Sequence, residues 1–190
     1  FSLIPTAQAA VYLSLEPSSQ NISTGSQFTL NMNLSNAAPE QLAALNVWLS
    51  FDPAYLEVVD SDTGNWITTG INVLDGPYHN AFYWDYHDHN TADNVTGRIG
   101  YGEGSFATNV SGSGTFAQIK FLAKAPILNT QINYLMTGTS GVDDTYVYDI
   151  SAHDILGGAS GTSVNVIPEP MTILTLLTGL AGVFYLPRKR

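Results

Sequence analysis

Hydrophobic residues recur at every second position in several short runs of the chain. In one of these runs Phe28, Leu30, Met32 and Leu34 alternate with polar residues. A period of two is that of a β-strand with one buried face. The same criterion indicates further strands, which lie at residues 11–15, 45–51, 56–59, 81–85, 98–103, 115–125, 131–137, 146–150 and 162–167.

Turn-forming residues separate these runs. Clusters of Gly, Asn, Ser, Asp and Pro occur at residues 23–25, 74–77 and 110–114, and no helix of ordinary length is indicated before residue 171. Many short strands between turns favour an antiparallel β-sandwich. We therefore predict an all-β domain over residues 10–167. Its predicted core contains Phe28, Leu30, Met32, Val47, Leu49, Phe51, Ile119 and Phe121.

The charge of this predicted domain excludes one class of partner. Residues 10–167 contain 15 acidic and 3 basic side chains, which gives a formal charge of −12. Such a surface repels nucleic acid and anionic lipid, so no nucleic-acid partner is predicted. The chain has no cysteine, so it has neither disulfide bonds nor thiol chemistry.

Histidines cluster between residues 78 and 90. His87 and His89 are two residues apart, so in a strand they would share one face and could bind a transition metal, with His79 or an acid completing the site. A His-x-His pair in a polar loop without a fixed third ligand is common in proteins that bind no metal. We therefore predict no metal site here.

Acidic residues of the chain could together bind a calcium ion. Two groups of oxygen ligands occur along the chain: Asp85, Asp88, Asn90 and Asp93, and then Asp143, Asp144 and Asp149. Ca²⁺ takes 6–8 oxygen ligands, but no segment matches the 12-residue EF-hand loop. We expect solvated loop acids and no cofactor, with Ca²⁺ as the alternative.

Catalytic motifs are missing from the sequence. It contains neither a G-x-S-x-G elbow nor an H-E-x-x-H motif. Carboxylates are plentiful, but their spacing does not identify an acid–base pair. We predict that the protein is not an enzyme.

The C-terminal segment combines a rigid tripeptide with an apolar run. Residues 171–186 carry no charge, and as a helix they would be roughly 24 Å long, somewhat short of the ~30 Å hydrocarbon core. Arg188, Lys189 and Arg190 follow, where cations stop transfer and stay on the cytoplasmic side. We predict a single transmembrane helix in this segment.

Residues 168–190 resemble the PEP-CTERM sorting signal of Gram-negative bacteria. The tripeptide Pro168, Glu169 and Pro170, the apolar run and the basic end stand in that order. The resemblance implies processing near the tripeptide by an exosortase-type membrane protease, in bacteria that usually make exopolysaccharide. Residues 1–9 resemble the end of a secretory signal peptide, with Ala7 and Ala9 at the cleavage site. We expect an inner-membrane-tethered precursor that becomes a cell-surface or matrix protein.

The segments between these ends resemble a cohesin-type domain. The similar segments lie at residues 23–28, 46–53, 56–59, 114–121 and 163–166. The resemblance implies a jelly-roll β-sandwich that binds a dockerin-like protein. It also implies that the strand around Trp48 lies in the dockerin-receiving sheet, which makes Asn46, Trp48 and Ser50 candidate partner-binding residues. Whether Trp48 is exposed or covered is left open by the alternation.

A carbohydrate-binding module for exopolysaccharide is the alternative function, with the aromatic residues near 78–86 as its ligand contacts. A protein-binding sandwich should have a flat apolar patch on one sheet. A sugar-binding one should have coplanar aromatic rings along a groove or a loop cleft.

Overall fold

The structure of the 190-residue chain is a computed structural model, which describes residues 11–37, 40–59, 74–75, 84–106, 110–138 and 143–169. These residues form strands joined by turns, which confirms the predicted all-β class. None of these ranges contains a helix that is long and apolar enough to cross a membrane. The strands are β1 (Val11–Glu16), β2 (Ser19–Ser23), β3 (Gln27–Asn36), β4 (Leu42–Ser50), β5 (Leu56–Val58), β6 (Leu74–Asp75), β7 (Tyr86–Asp93), β8 (Arg98–Gly104), β9 (Gly114–Ala123), β10 (Ile127–Tyr134), β11 (Tyr146–Asp149), β12 (Leu156–Ser160) and β13 (Thr162–Ile167).

The strands form the two sheets of a jelly-roll sandwich. The first sheet has the order β12-β1-β3-β9-β5, with β6 also paired to β9. The second sheet has the order β2-β13-β10-β4-β8-β7, with β11 paired to β4. Most pairs are antiparallel, as predicted. Two pairs in the described part of the chain depart from that prediction, because β12 runs parallel to β1 and β2 runs parallel to β13.

The hydrophobic core fills the space between the sheets. Phe121 is central to it, since its ring lies 5.5 Å from that of Phe28 and 5.4 Å from that of Phe51. Burial of alternate residues on both sheets confirms the predicted inward faces. All eight predicted core side chains are buried: Phe28, Leu30, Met32, Val47, Leu49, Phe51, Ile119 and Phe121.

The two-residue strand β6 lies where a turn was predicted. Strands β2, β7 and β12 were not predicted either. Their sequences are SQNIS, YHDHNTAD and LGGAS, which lack alternating large hydrophobic residues. In β7 the buried positions are Asn90 and Ala92, so the inward face carries little hydrophobic signal. This segment forms a strand through its backbone pairing with β8, in which Ile99 and Tyr101 alternate with glycines.

The start of β4 and the end of β13 lie at opposite ends of the second sheet. Strand β10 connects them, because Ile127 pairs with Val166 and Asn133 pairs with Ser50. Six residues of β10 and then six of β4 therefore separate Val166 from Ala44, on the order of 35–40 Å along the strands. The chain leaves the sandwich at the Val166 end.

The C-terminal tripeptide begins where the sandwich stops. The backbone carbonyl of Ile167 accepts hydrogen bonds from the amide and the hydroxyl of Thr24, at 2.8 and 3.1 Å. Pro168 and Glu169 follow and are exposed. The predicted signal-peptide remnant at 1–9, Pro170 and the predicted span with its basic end lie outside the described residues.

Candidate binding face

On the outer face of the second sheet, strand β8 carries no side chain from Gly100 to Gly104. In β8, Ile99, Tyr101 and Glu103 point inward, so the alternating glycines point outward. Those glycines pair with the outward positions of β4: Gly100 with Trp48, Gly102 with Asn46 and Gly104 with Ala44. The absence of side chains at these glycines leaves space above β8 that neighbouring side chains occupy at Gly100 and Gly102.

Trp48 lies on this outer face, where the alternation of its strand places it. Its indole stacks on the ring of His89, with centroids 5.3 Å apart and an interplanar angle of 28°. Both rings lie over β8, since a Cβ built on Gly100 would be 2.9 Å from each of them. One face of the indole is therefore covered by a protein ring.

Asn46 has a structural contact. Its side chain is 8% exposed, and its Nδ2 donates a hydrogen bond to the carbonyl of Asp144 at 2.7 Å. Next to it, the hydroxyl of Thr145 accepts from the Trp48 amide at 3.0 Å and donates to its carbonyl at 3.1 Å. Ser50 is half-buried on the same face. Contact of Asn46, Trp48 and Ser50 with a partner stays a prediction.

A groove of about 580 Å³ opens at the end of this face where β4 begins. Its floor includes Ala44, which has only a methyl group, and Gly104, which has no side chain, so there is room above the sheet. One wall is a pair of rings from β11 with centroids 4.5 Å apart, and the other is a pair with centroids 5.3 Å apart. We call this site the aromatic groove, after its four ring residues: Tyr86, Phe106, Tyr146 and Tyr148.

The charged residues that line the groove are acidic. Asp88 and Asp149 contribute to its lining. Burial raises the pKa of Tyr146, and the charges of Tyr148, Asp88, Asp144 and Asp154 raise it further. No Lys or Arg of the described chain lines the groove, because Arg98, Lys120 and Lys124 lie elsewhere.

A buried carboxylate lies beneath the groove. Glu103 is 3% exposed; its Oε1 accepts a hydrogen bond from the Tyr101 hydroxyl at 2.5 Å, and its Oε2 lies 2.7 Å from His87 Nδ1. Tyr101 shares the inward face of β8 with Glu103. The alternation gave no sign of this polar cluster, because Glu103 takes a position where the pattern leads one to expect a hydrophobic residue.

The premise of the histidine metal hypothesis is wrong for His87 and His89, which do not share a face. A β-bulge between them lets His87 pair with Glu103 and His89 with Gly102, which are neighbours on β8. His87 therefore points inward, whereas His89 lies outside, with its Nδ1 2.9 Å from Asp88 Oδ2. His79 lies outside the described residues. The described ranges contain no group of three His, Cys, Asp or Glu side chains that could hold a metal ion.

Several acids of the calcium alternative bind backbone amides of their own turns. Asp93 accepts from Val95 and Thr96, and its pKa is lowered chiefly by the Thr96 hydroxyl. The amide of His153 likewise lowers the pKa of Asp149. Asp144 accepts from two loop amides, at 2.5 and 3.2 Å. These carboxylates have local structural partners, as turn-forming Asp residues commonly do.

Comparison with known proteins identifies the family. The model of the cohesin domain matches residues 13–158. The chain belongs to the cohesin domain family. No curated protein sequence matches this cohesin domain.

Solved cohesin structures share its fold at low sequence identity. CaCohA2 from Clostridium acetobutylicum has a TM-score of 0.59 and 16% identity, covering 84% of this chain and 92% of its own. A non-cellulosomal cohesin from the archaeon Archaeoglobus fulgidus has a TM-score of 0.55 and 16% identity, covering 88% and 98%. The third ScaC cohesin of Acetivibrio cellulolyticus, solved in complex with the ScaB dockerin, has a TM-score of 0.57 and 16% identity, covering 83% and 99%.

Proposed function

We propose that this cohesin domain is a non-enzymatic protein-binding module whose second sheet receives a dockerin-like partner on its outer face. Membership of the cohesin family supports a non-catalytic, protein-binding role. A structural neighbour that is solved with a dockerin supports the class of partner. The observation that carries the proposal is the aromatic groove, which is open on the outer face of this sheet.

The ring geometry favours protein over polysaccharide. The planes of Tyr146 and Tyr148 are inclined by 34°, and those of Tyr86 and Phe106 by 64°. A sugar-binding platform needs coplanar rings, which neither pair provides. Aromatic side chains are enriched at the centres of protein interfaces. Exopolysaccharide is the second candidate ligand, because aromatic and polar side chains do meet at the groove.

Site-specific photo-crosslinking in the producing cells tests the proposed face. A benzophenone amino acid at Phe106, which is 84% exposed at the groove, should give a discrete protein adduct. The matched control is Tyr12, which is 54% exposed in β1 of the other sheet and should give none. Adducts are identified by mass spectrometry. Protein adducts from Tyr12 alone, or a glycan adduct at Phe106, would contradict the proposal.

We also propose that the protein is exported and then sorted by a PEP-CTERM signal at residues 168–190. The order of tripeptide, apolar run and basic end supports this function. Pro168 and Glu169 are exposed directly after β13, so a protease could reach the start of the tripeptide without opening the sandwich. Moving Arg188, Lys189 and Arg190 through hydrocarbon costs several kcal/mol, which would hold the precursor in the inner membrane.

Replacement of residues 168–170 by three alanines tests the sorting proposal. Export should continue, and the full-length membrane-bound form should accumulate because processing is blocked. Mass spectrometry of protein released from wild-type cells should find a C-terminus upstream of Arg188. Released protein that still ends in Arg190 would leave only a plain single-span anchor.

A further inference from the structure

We propose that the aromatic groove binds a Lys or Arg side chain, which the partner protein presents between apolar residues. This inference rests on the proposed function, because the groove belongs to the same outer face. It specifies the chemistry of the partner residue that would occupy the groove.

The walls of the groove suit the body of such a side chain. Tyr146 and Tyr148 form one wall with ring centroids 4.5 Å apart, and the exposed Phe106 and Ile150 line the opening. The face of an aromatic ring attracts a cation, and the alkyl stem of Lys or Arg packs on apolar surface. Apolar neighbours in the partner would contact Phe106 and Ile150.

The charges near the groove select the sign of the occupant. Asp88 and Asp149 contribute to the lining, whereas Arg98, the basic residue of β8, lies six residues from Gly104, about 20 Å along the strand. Complementary charge raises the rate and specificity of association, and like charge opposes it. These carboxylates therefore attract a cation and repel an anion, and they contribute no net charge attraction to the binding of a neutral sugar.

The floor of the groove provides the depth that a side chain needs. A Cβ built on Gly104 would meet Tyr86 Cδ1 at 3.5 Å and the Ala43 carbonyl oxygen at 3.6 Å, which are ordinary van der Waals distances. The structure therefore has room for a Cβ at Gly104. Gly104→Ala should keep the fold while it fills part of the floor.

Selection of peptides on the full-length protein tests the inference. A random 12-residue phage library is panned on the wild-type chain, and phages that also bind Phe106→Ala are removed. The retained peptides should contain Lys or Arg between apolar residues. Changing that cation to Gln in the synthetic peptide should weaken binding at least tenfold at low salt, and less at high salt because of screening.

Variants of the protein give the matched comparison, measured by titration with the same peptide. Asp88→Asn should weaken binding about three- to tenfold, by removing a carboxylate next to the cation. Glu57→Gln is the corresponding carboxylate-to-amide change on a half-buried residue of β5 in the other sheet, and it should have no effect. Gly104→Ala should weaken binding without lowering the melting temperature.

The outcomes separate this inference from the proposed function. Peptides that need Phe106 but show no preference for Lys or Arg would overturn the cation site and leave the protein-binding face intact. A library that yields only peptides indifferent to both Phe106→Ala and Gly104→Ala would overturn the face as well. Displacement of the peptide by a neutral polysaccharide such as dextran would overturn both in favour of sugar binding.

Discussion

Asn46→Ala should lower the free energy of unfolding by about 2 kcal/mol, although the residue lies on the outer face of a sheet. Its Nδ2 donates to the carbonyl of Asp144 at 2.7 Å, and its side chain is 8% exposed. Losing a buried hydrogen bond that leaves one partner behind costs roughly 1–3 kcal/mol. For a chain of this size the melting temperature should fall by about 4–8 °C.

The same variant should also weaken ligand binding at the aromatic groove. Asp144 holds the loop before β11, since its carboxylate accepts hydrogen bonds from the amides of Thr137 and Gly138. Tyr146 follows two residues later and forms part of a groove wall. Loss of the Asn46 contact should therefore loosen that wall.

Urea denaturation, followed by tryptophan fluorescence, measures the effect on the free energy of unfolding. The denaturation midpoints of two variants can be compared if the dependence of that free energy on urea concentration has the same slope in both. Asn46→Asp keeps the size of the side chain but replaces its amide donor by a carboxylate oxygen, which would face the carbonyl of Asp144. At neutral pH this variant should therefore lower the free energy of unfolding more than Asn46→Ala does. Ser50→Ala, on the same face, should stay within about 0.5 kcal/mol. If both Asn46 variants also stay within that limit, the residue is a surface contact and our structural reasoning is wrong.

Three further predictions concern the core, metal and acid. Leu49→Ala should lower the free energy of unfolding by about 3–5 kcal/mol, because Leu49 is fully buried. Leu128 is 76% exposed, so Leu128→Ala should lower it by less than ~0.5 kcal/mol in the same urea experiment. EDTA should leave the melting temperature unchanged, and a rise of many degrees on adding Ca²⁺ or Zn²⁺ would show an ordered site. The lowered pKa of Asp93 means that its stabilising effect is present above the unfolded pKa of about 3.9 and is lost as the pH falls through the folded pKa. Thr96→Val should raise that pKa in a ¹³C NMR titration, and an unmoved titration would rule out the hydroxyl as its main cause.

The fold could be predicted where hydrophobic alternation is strong. Strands β3, β4 and β9 carry large apolar residues at every second position, and their inward faces are those that the pattern indicates. Strand β12 could not be found in this way, because its glycines and small residues bury little apolar surface. Its position depends on parallel pairing with β1, which is a long-range contact.

The candidate site was predictable only in part. Hydrophobic alternation placed Trp48 on the outer face of its sheet. The ring that covers one face of its indole belongs to His89, which is 41 residues later in the chain. The bulge at Asp88 changes which face the histidines share, and nothing in a period-two pattern marks such an insertion. Asn46 was an expected contact residue, yet its burial depends on the Asp144 loop, which crosses β4 from the other end of the chain.

The location of the groove and the C-terminal exit at opposite ends of the second sheet determines how the domain would bear a mechanical load. A pull between a partner in the groove and an anchor after Ile167 acts along the strands. Strand β13 would then be loaded in shear, with its pairings to β10 and β2 stretched together instead of opening one by one. Shear across whole ladders resists force better than peeling from one end.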